Sequence, residues 1–254
     1  MDKICYGLEN KVILITGGSR GLGLAIVKAL VEEKAKIAFC ARKQEGLDAA
    51  RRLLGGYEHI LTVQAHIARE DDVENLFNAV MKEYGRLDVL INNVGMNLVT
   101  PSVVDTDFAL WQKIIDTNLS GTFLCSKKAA AIMREQKQGK IINISSIAAK
   151  KASPGMGIYG AAKAGVEMLT KVLSAELAQH NIQVNTVAPS MIRTDFSRPF
   201  WSNPEAYESI IRNVPLGRIA DPVEIVQPIL FLASEASNFI TGETLMADGG
   251  SSAV

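Results

Sequence analysis

The chain is poor in the features that mark several large classes of protein. It has only three cysteines, Cys5, Cys40 and Cys125, scattered without ligand-like spacing. That pattern excludes a disulfide framework and a thiolate metal centre, and suits reduced thiols in a cytoplasmic protein. There is no excess of charge of either sign, since 27 basic residues meet 27 acidic ones. A polyanion or an anionic membrane surface therefore finds no matching field, and nucleic acid is disfavoured as a partner. No apolar run approaches the ~20 residues that span a bilayer. The opening MDKICYGLENK lacks the basic flank and apolar centre of a secretion signal. Internal repeats, low-complexity tracts and linker-like stretches are also missing. The 254 residues, 48% hydrophobic and 21% charged, suit one soluble α/β domain with a substantial core.

What is present is an alternation of strand-like and helix-like segments. KVILIT (11–16) is a continuous apolar run of the kind buried on both faces of a parallel sheet. GGSRGLG (17–23) follows, and then LAIVKALVEEKA with helical spacing. Strand, glycine turn and helix in that order form the context of a phosphate-binding loop. Gly17 permits the tight turn, Gly21 lets the backbone approach a pyrophosphate, and Gly23 lets the helix lie close to the strand. The helix start offers free N–H groups and a partial positive charge to phosphate. Glycine-rich turns also arise for structural reasons alone; it is the flanking pattern that favours the ligand.

KIAFC (36–40) is the second strand, and Arg42 and Lys43 stand beyond it where an acidic residue usually meets the adenosine ribose. Arg42, with Arg20 from the glycine loop, suits a ribose 2′-phosphate and so favours NADP over NAD. The competing reading makes Arg42 a solvated charge at a strand end. Further strands are expected at 59–65, 87–93, 140–146, 182–189 and 244–250. Helices are expected at 70–85, 106–117 and 221–234, the last begun by Asp221 and Pro222. Asn92, Asn93 and Gly95 close the fourth strand, either bonded to local backbone or touching a ligand. Asn118 interrupts an apolar helical stretch, satisfied by backbone or serving a site. Residues 195–219 are irregular and rich in proline and aromatics, which suggests a lid at about 190–219. Phe196, Phe200, Trp201 and Tyr207 would line its underside, pin it to the body or face another subunit.

The chemistry concentrates in SSIAAKKASPGMGIYGAAK (145–163). Tyr159 and Lys163 are four apart, on one face of a helix. A phenol of reference pKa about 10 is a poor proton donor near neutrality, and a neighbouring ammonium is expected to lower it. Ser146 follows directly at the end of the strand-like run IINIS, where its hydroxyl would polarise a carbonyl beside the phenol.

TGGSRGLG, NNVG, Asn118, Ser146, Tyr159-x-x-x-Lys163, VNTVAP and ADGG together resemble the short-chain dehydrogenase/reductase family, over almost the whole chain and in the right order. The resemblance implies a Rossmann-type, doubly wound, seven-stranded parallel sheet of order 3-2-1-4-5-6-7, with helices on both faces in a single domain. It implies a catalytic set of Asn118, Ser146, Tyr159 and Lys163, with no metal. Ser146 is chosen over Ser145 because it lies thirteen positions before Tyr159. Ser146 would hold the substrate oxygen and Tyr159 would give it a proton. Lys163 would tune the phenol and hold the nicotinamide ribose, and Asn118 would position a water leading from Lys163 to solvent. Cofactor contacts would come from Gly17, Ser19, Arg20, Gly21, Leu22, Gly23, Arg42, Asn93, Gly95, Tyr159, Lys163, Ile192 and Thr194. Substrate contacts would come from Ser146, Phe196, Phe200 and Trp201.

Three positions depart from the family pattern: Val94 in NNVG, His66 where an aspartate usually meets adenine, and Ser190 where glycine usually follows the sixth strand. The expected activity is NADPH-dependent reduction of a ketone, such as a 3-oxoacyl thioester or a small hydrophobic carbonyl compound. Two alternatives are an NADP-dependent sugar or polyol dehydrogenase and a catalytically silent, cofactor-binding regulatory member. Lys137 and His180 are the nearest matches to the basic residues with which carrier-protein reductases dock their partner, and they make a poor pair. The resemblance further implies a homotetramer.

Overall fold

The computed structural model describes residues 5–100, 102–195 and 197–254. Seven strands form one parallel sheet: β1 Val12–Thr16, β2 Lys36–Ala41, β3 Ile60–Gln64, β4 Val89–Asn92, β5 Gly139–Ile144, β6 Ile182–Pro189 and β7 Thr244–Ala247. Their order is β3-β2-β1-β4-β5-β6-β7, as the family resemblance implies. Parallel neighbours need long crossovers. These are supplied by α1 Gly21–Glu32, α2 Gln44–Leu53, α3 Glu70–Tyr84, α4 Phe108–Ile115, α5 Gly121–Gln136, α6 Gly157–Leu177, the short α7 Arg198–Trp201 and α8 Pro204–Ile211, and α9 Pro222–Ala233.

Alternation along each strand divides the core in two. Ile13, Ile15, Ile37, Phe39 and Ile91 face one side, where Leu22, Ile26 and Leu30 of α1 and Ile225, Ile229 and Leu230 of α9 cover them. Val12, Leu14, Ala38, Cys40 and Leu90 face the other, beneath α3, α5 and the end of α6. A strand apolar on both faces has no solvent side, which is why these segments read as unbroken hydrophobic runs. Asp221 precedes α9 as expected, with Pro222 in the first turn, and Glu224 Oε2 accepts from the Asp221 N–H at 2.9 Å.

One polar seam crosses this core. Asn92 Nδ2 donates to Asn143 Oδ1 at 2.9 Å and to Ser126 Oγ at 3.0 Å. Asn143 Nδ2 donates to Thr170 Oγ1 at 2.8 Å, and Thr170 meets Thr186 at 2.8 Å. Asn92 therefore bonds across the sheet and to α5, not to a local turn as its sequence context suggests. The seam locks β4, β5, α6 and β6 in register beneath the carboxyl edge of the sheet.

Replacing Asn143 by alanine removes the middle of that seam and strands buried polar partners. A loss of roughly 1–3 kcal/mol is expected, read from urea unfolding followed by circular dichroism.

Candidate active site

The site residues gather at the carboxyl ends of the strands, where open α/β sheets hold their ligands. The glycine loop sits at the end of β1. Gly17 has φ +74°, and a Cβ there would come 2.9 Å from Val94 Cγ2. At Gly23 a Cβ would lie 2.1 Å from Gly17 O, so only glycine lets α1 fold back on its own loop. Gly18, which the sequence pattern did not single out, is equally constrained, since a Cβ would meet the Phe39 ring at 2.7 Å. Thr16, fully buried, accepts from the N–H groups of Asn93 and Val94 at 3.0 and 3.1 Å. Asn93 in turn donates to Thr16 O and Gly17 O. Its amide nitrogen is thus engaged in holding the loop.

This cradle fits a dinucleotide phosphate. Arg20, the N-cap of α1, makes no side-chain cap bond, and no acidic residue lies in the first turn. The helix therefore keeps its N–H donors and its positive end for an anion. Ser19 Oγ lies 3.5 Å from where a Gly46 Cβ would be, so the loop tip reaches the first turn of α2. Arg20 and Arg42 are both exposed, and among the described residues neither guanidinium forms an ion pair. Leu22 packs into the core beneath the loop. Thr194 covers the opposite side, with its Cβ and Cγ2 3.7 Å from a Cβ built at Gly21.

Across the crevice stand the proton-transfer residues. Asn118 is fully buried in a π-helical segment, Asp116–Ser120, that joins α4 to α5. The expected helix over 106–117 is thus α4 plus a wide turn, a feature common where helices carry functional groups. Asn118 Oδ1 accepts from Met96 N at 3.1 Å, while Nδ2 donates to Met96 O and Ile114 O, both at 2.8 Å. Backbone satisfies its side chain completely. A Cβ at Gly95 would lie 3.4 Å from Asn118 Oδ1 and 3.5 Å from Lys163 Nζ, so the bare glycine leaves room between those two groups.

Lys163 is buried at 2% exposure, and its Nζ donates to Ile144 O at 2.8 Å. Desolvation brings its ammonium down to about 8. Tyr159, partly buried, is pushed up to about 12 by desolvation and drawn back by a hydrogen bond to Ser146. The lowering of the phenol by Lys163 that the i, i+4 spacing predicts is therefore not what this geometry gives. Nζ lies 5.7 Å from the ring centroid and is turned toward the carbonyl of β5. Of the two serines it is Ser146 that draws the phenol down. Ser145 is buried and bonded to Lys163 O and Glu167.

Residues 195–219 hold two short helices, α7 and α8, where the sequence suggested irregular chain. Ser197 Oγ bonds to Ile192 O, and Trp201 Nε1 donates to Ser197 Oγ at 2.9 Å. Arg193 stacks over Trp201 at 5.3 Å and pairs with Asp221 at 3.4 Å. Trp201 thus fastens the base of this segment, the pinning role that was one of its readings. Phe200 and Tyr207 are partly buried. Phe196 lies outside the described residues. His66 is fixed by its own loop, its N–H on Asp72 Oδ2 at 2.8 Å and its Nδ1 accepting from Ala68 N. Lys137 and His180 directly precede β5 and β6, at the amino edge of the sheet, so within one chain they do not flank the crevice.

A family model described as enoyl-(acyl carrier protein) reductase matches residues 17–252. The chain belongs to the short-chain dehydrogenase/reductase family. It is 39% identical to a 3-oxoacyl-[acyl-carrier-protein] reductase of Synechocystis sp., covering 96% of this chain and 97% of that one. It is 37% identical to dehydrogenase/reductase SDR family member 4 of Bos taurus, over 96% and 88% of the two chains. Among solved structures, ElxO with NADP bound superposes with a TM-score of 0.92 at 33% identity, over 96% of this chain and 100% of that one. As a family member the chain is an oxidoreductase that binds a nicotinamide cofactor. No helix among the described residues is long and apolar enough to cross a membrane, and no group of three or more His, Cys, Asp or Glu there is arranged to hold a metal.

Burial makes Lys163 an acid in the folded chain stronger than in the unfolded one, where its value is near 10.5. The folded state then binds that proton less tightly, so the lysine destabilises the fold below pH 8, and the penalty fades as pH rises from 8 to 10.5. Lys163→Met should therefore stabilise the protein by up to about 3 kcal/mol at pH 7 and by little at pH 10. Thermal unfolding at the two pH values measures the difference.

Proposed function

We propose that this enzyme is an NADPH-dependent reductase that converts a ketone to a secondary alcohol. The observation that supports the reading is Tyr159 and the buried Lys163 one helical turn apart on α6, with Nζ 5.7 Å from the ring centroid, and Ser146 just beyond β5 drawing the phenol down. Bound NADPH supplies the hydride that the carbonyl carbon receives. Ser146 holds the carbonyl oxygen, and Tyr159, kept protonated by burial, gives that oxygen its proton. Lys163 holds positive charge beside the phenol below about pH 8 and loses it above. Asn118 widens the helix beside Lys163 and, with Gly95, keeps a path open for water to replace the proton that is used.

The preference for NADPH over NADH rests on Arg20 and Arg42, two exposed guanidiniums without ion-pair partners among the described residues, on either side of the place where a 2′-phosphate would lie. Ser19, Gly21, Leu22 and Gly23 support the phosphates, and Gly17, Asn93 and Gly95 shape the wall. The backbone at Ile192 and the Thr194 side chain meet the nicotinamide end. Residues 190–219 close over the substrate, with Phe200 against it and Trp201 at the base.

We assign residues 1–254 to one domain, acting in the cytoplasm as a homotetramer. Phe108 and Trp111 of α4, Phe123 of α5, and Met168 and Val172 of α6 are exposed large apolar residues, as an interface between copies requires.

Tyr159→Phe removes the proton donor and keeps the ring. NADPH oxidation against a panel of ketones should fall by at least about 10³-fold, while NADPH fluorescence on titration still reports binding. Arg42→Ala should weaken NADPH by roughly 1.5–3 kcal/mol through loss of a charge-assisted contact and leave NADH nearly unchanged. Equal effects on the two cofactors would remove Arg42 from the 2′-phosphate site.

A further inference from the structure

Ser146 stands on a turn whose two flanks are held by one side chain that the proton-transfer scheme does not use. Ser145 precedes it, and Lys150 ends the 3-10 turn Ile147–Ala149 that follows. Glu167 lies on α6 one helical turn past Lys163 and is 4% exposed. Its Oε1 accepts from Ser145 Oγ at 3.1 Å, and its Oε2 meets Lys150 Nζ at 2.7 Å. A buried carboxylate is costly unless charged and hydrogen-bonded partners offset its lost hydration. Here both partners belong to the turn that carries Ser146.

The same junction is tight elsewhere. Ser145 Oγ lies 3.3 Å from Lys163 O, and Lys163 Nζ is on Ile144 O. At Gly160 a Cβ would come 2.7 Å from Ala148 O, so the turn rests on the backbone of α6 with no side chain between. A shift of the turn therefore moves Ser146 relative to Tyr159 directly.

We propose that Glu167 is the positioning residue of this site: it clamps Ser145 and Lys150 and thereby sets the Ser146 hydroxyl against the Tyr159 phenol. The proposal rests on reading Ser146 as the group that holds the substrate oxygen. Glu167 touches neither substrate nor cofactor. It acts from α6, behind the turn, and fixes one reacting group against another that stands two turns earlier on the same helix. The glycine loop lies on other elements, so the contacts to the cofactor phosphates do not depend on it.

The test uses Glu167→Ala, Glu167→Gln and Lys150→Met. The last alters a half-exposed side chain and so keeps the fold if the buried substitutions do not. The kcat for ketone reduction should fall roughly 10- to 100-fold in Glu167→Ala, as misplacement of a reacting group requires, with the Kd for NADPH unchanged. Lys150→Met should show the same split to a smaller degree, and Glu167→Gln should lie between wild type and Glu167→Ala. In a Ser146→Ala background, Glu167→Ala should cost about twofold or less, because the group it positions is already gone. An equal cost in both backgrounds overturns the proposal.

A second readout is independent of turnover. The 13Cζ resonance of Tyr159, assigned with Tyr159→Phe, should move in the same sense in Glu167→Ala and in Ser146→Ala. A resonance unmoved in Glu167→Ala overturns the positioning role. A wild-type enzyme that reduces no ketone, but whose resonance follows Glu167, overturns the reductase reading and leaves the clamp intact.

Discussion

An ammonium kept out of water with a single main-chain carbonyl for company governs this molecule. Lys163 has no carboxylate partner among the described residues, although the buried Glu167 is only four positions away. Pairing the two would have made a stable and inert ion pair. Instead Glu167 is taken by Lys150 and Ser145, and Lys163 remains a cation of weakened proton affinity beside a phenol. The site tolerates this cost because the sheet beneath it is apolar on both faces and locked by the Asn92–Asn143–Thr170–Thr186 seam. Stability spent in the active site is recovered in the core, the usual trade between activity and stability.

Much of the fold was legible because its signals are local. Buried parallel strands announce themselves as apolar runs, and the glycine loop announces itself by spacing between a strand and a helix. All seven strands fall where those runs stand, and Gly23 meets Gly17 O as close helix–strand packing requires. The spacing that prefers Ser146 to Ser145 agrees with the packing of Ser145, whose hydroxyl is turned to Lys163 O and Glu167.

The remainder depended on contacts between distant parts of the chain. Nothing around Thr16 indicates that it would bind the N–H groups of Asn93 and Val94, 77 and 78 positions away. Asn92 looks like a turn residue and proves to be a cross-sheet partner. Gly18 looks like one more glycine in a loop, and its need is set by Phe39 on the next strand. The state of Tyr159 likewise depends on packing that spacing does not show. Sequence places Lys163 on the correct helix face, but only the packing shows that Nζ turns to Ile144 and that burial dominates the phenol.

The wide turn at Asp116–Ser120 has one more consequence. It houses an extra residue relative to an α-helix, and each residue of a helix advances the chain by about 100°. The wider turn takes up that extra advance, so excising one residue there would let α4 and α5 fuse into an unbroken rod whose two halves keep nearly their present faces. Met133 and Cys125 would stay against the sheet, and what would be lost is the setting of Asn118 against Met96 and Ile114 O. Here the irregular turn belongs to the site, and a straighter helix would keep the core while giving up the place of Asn118.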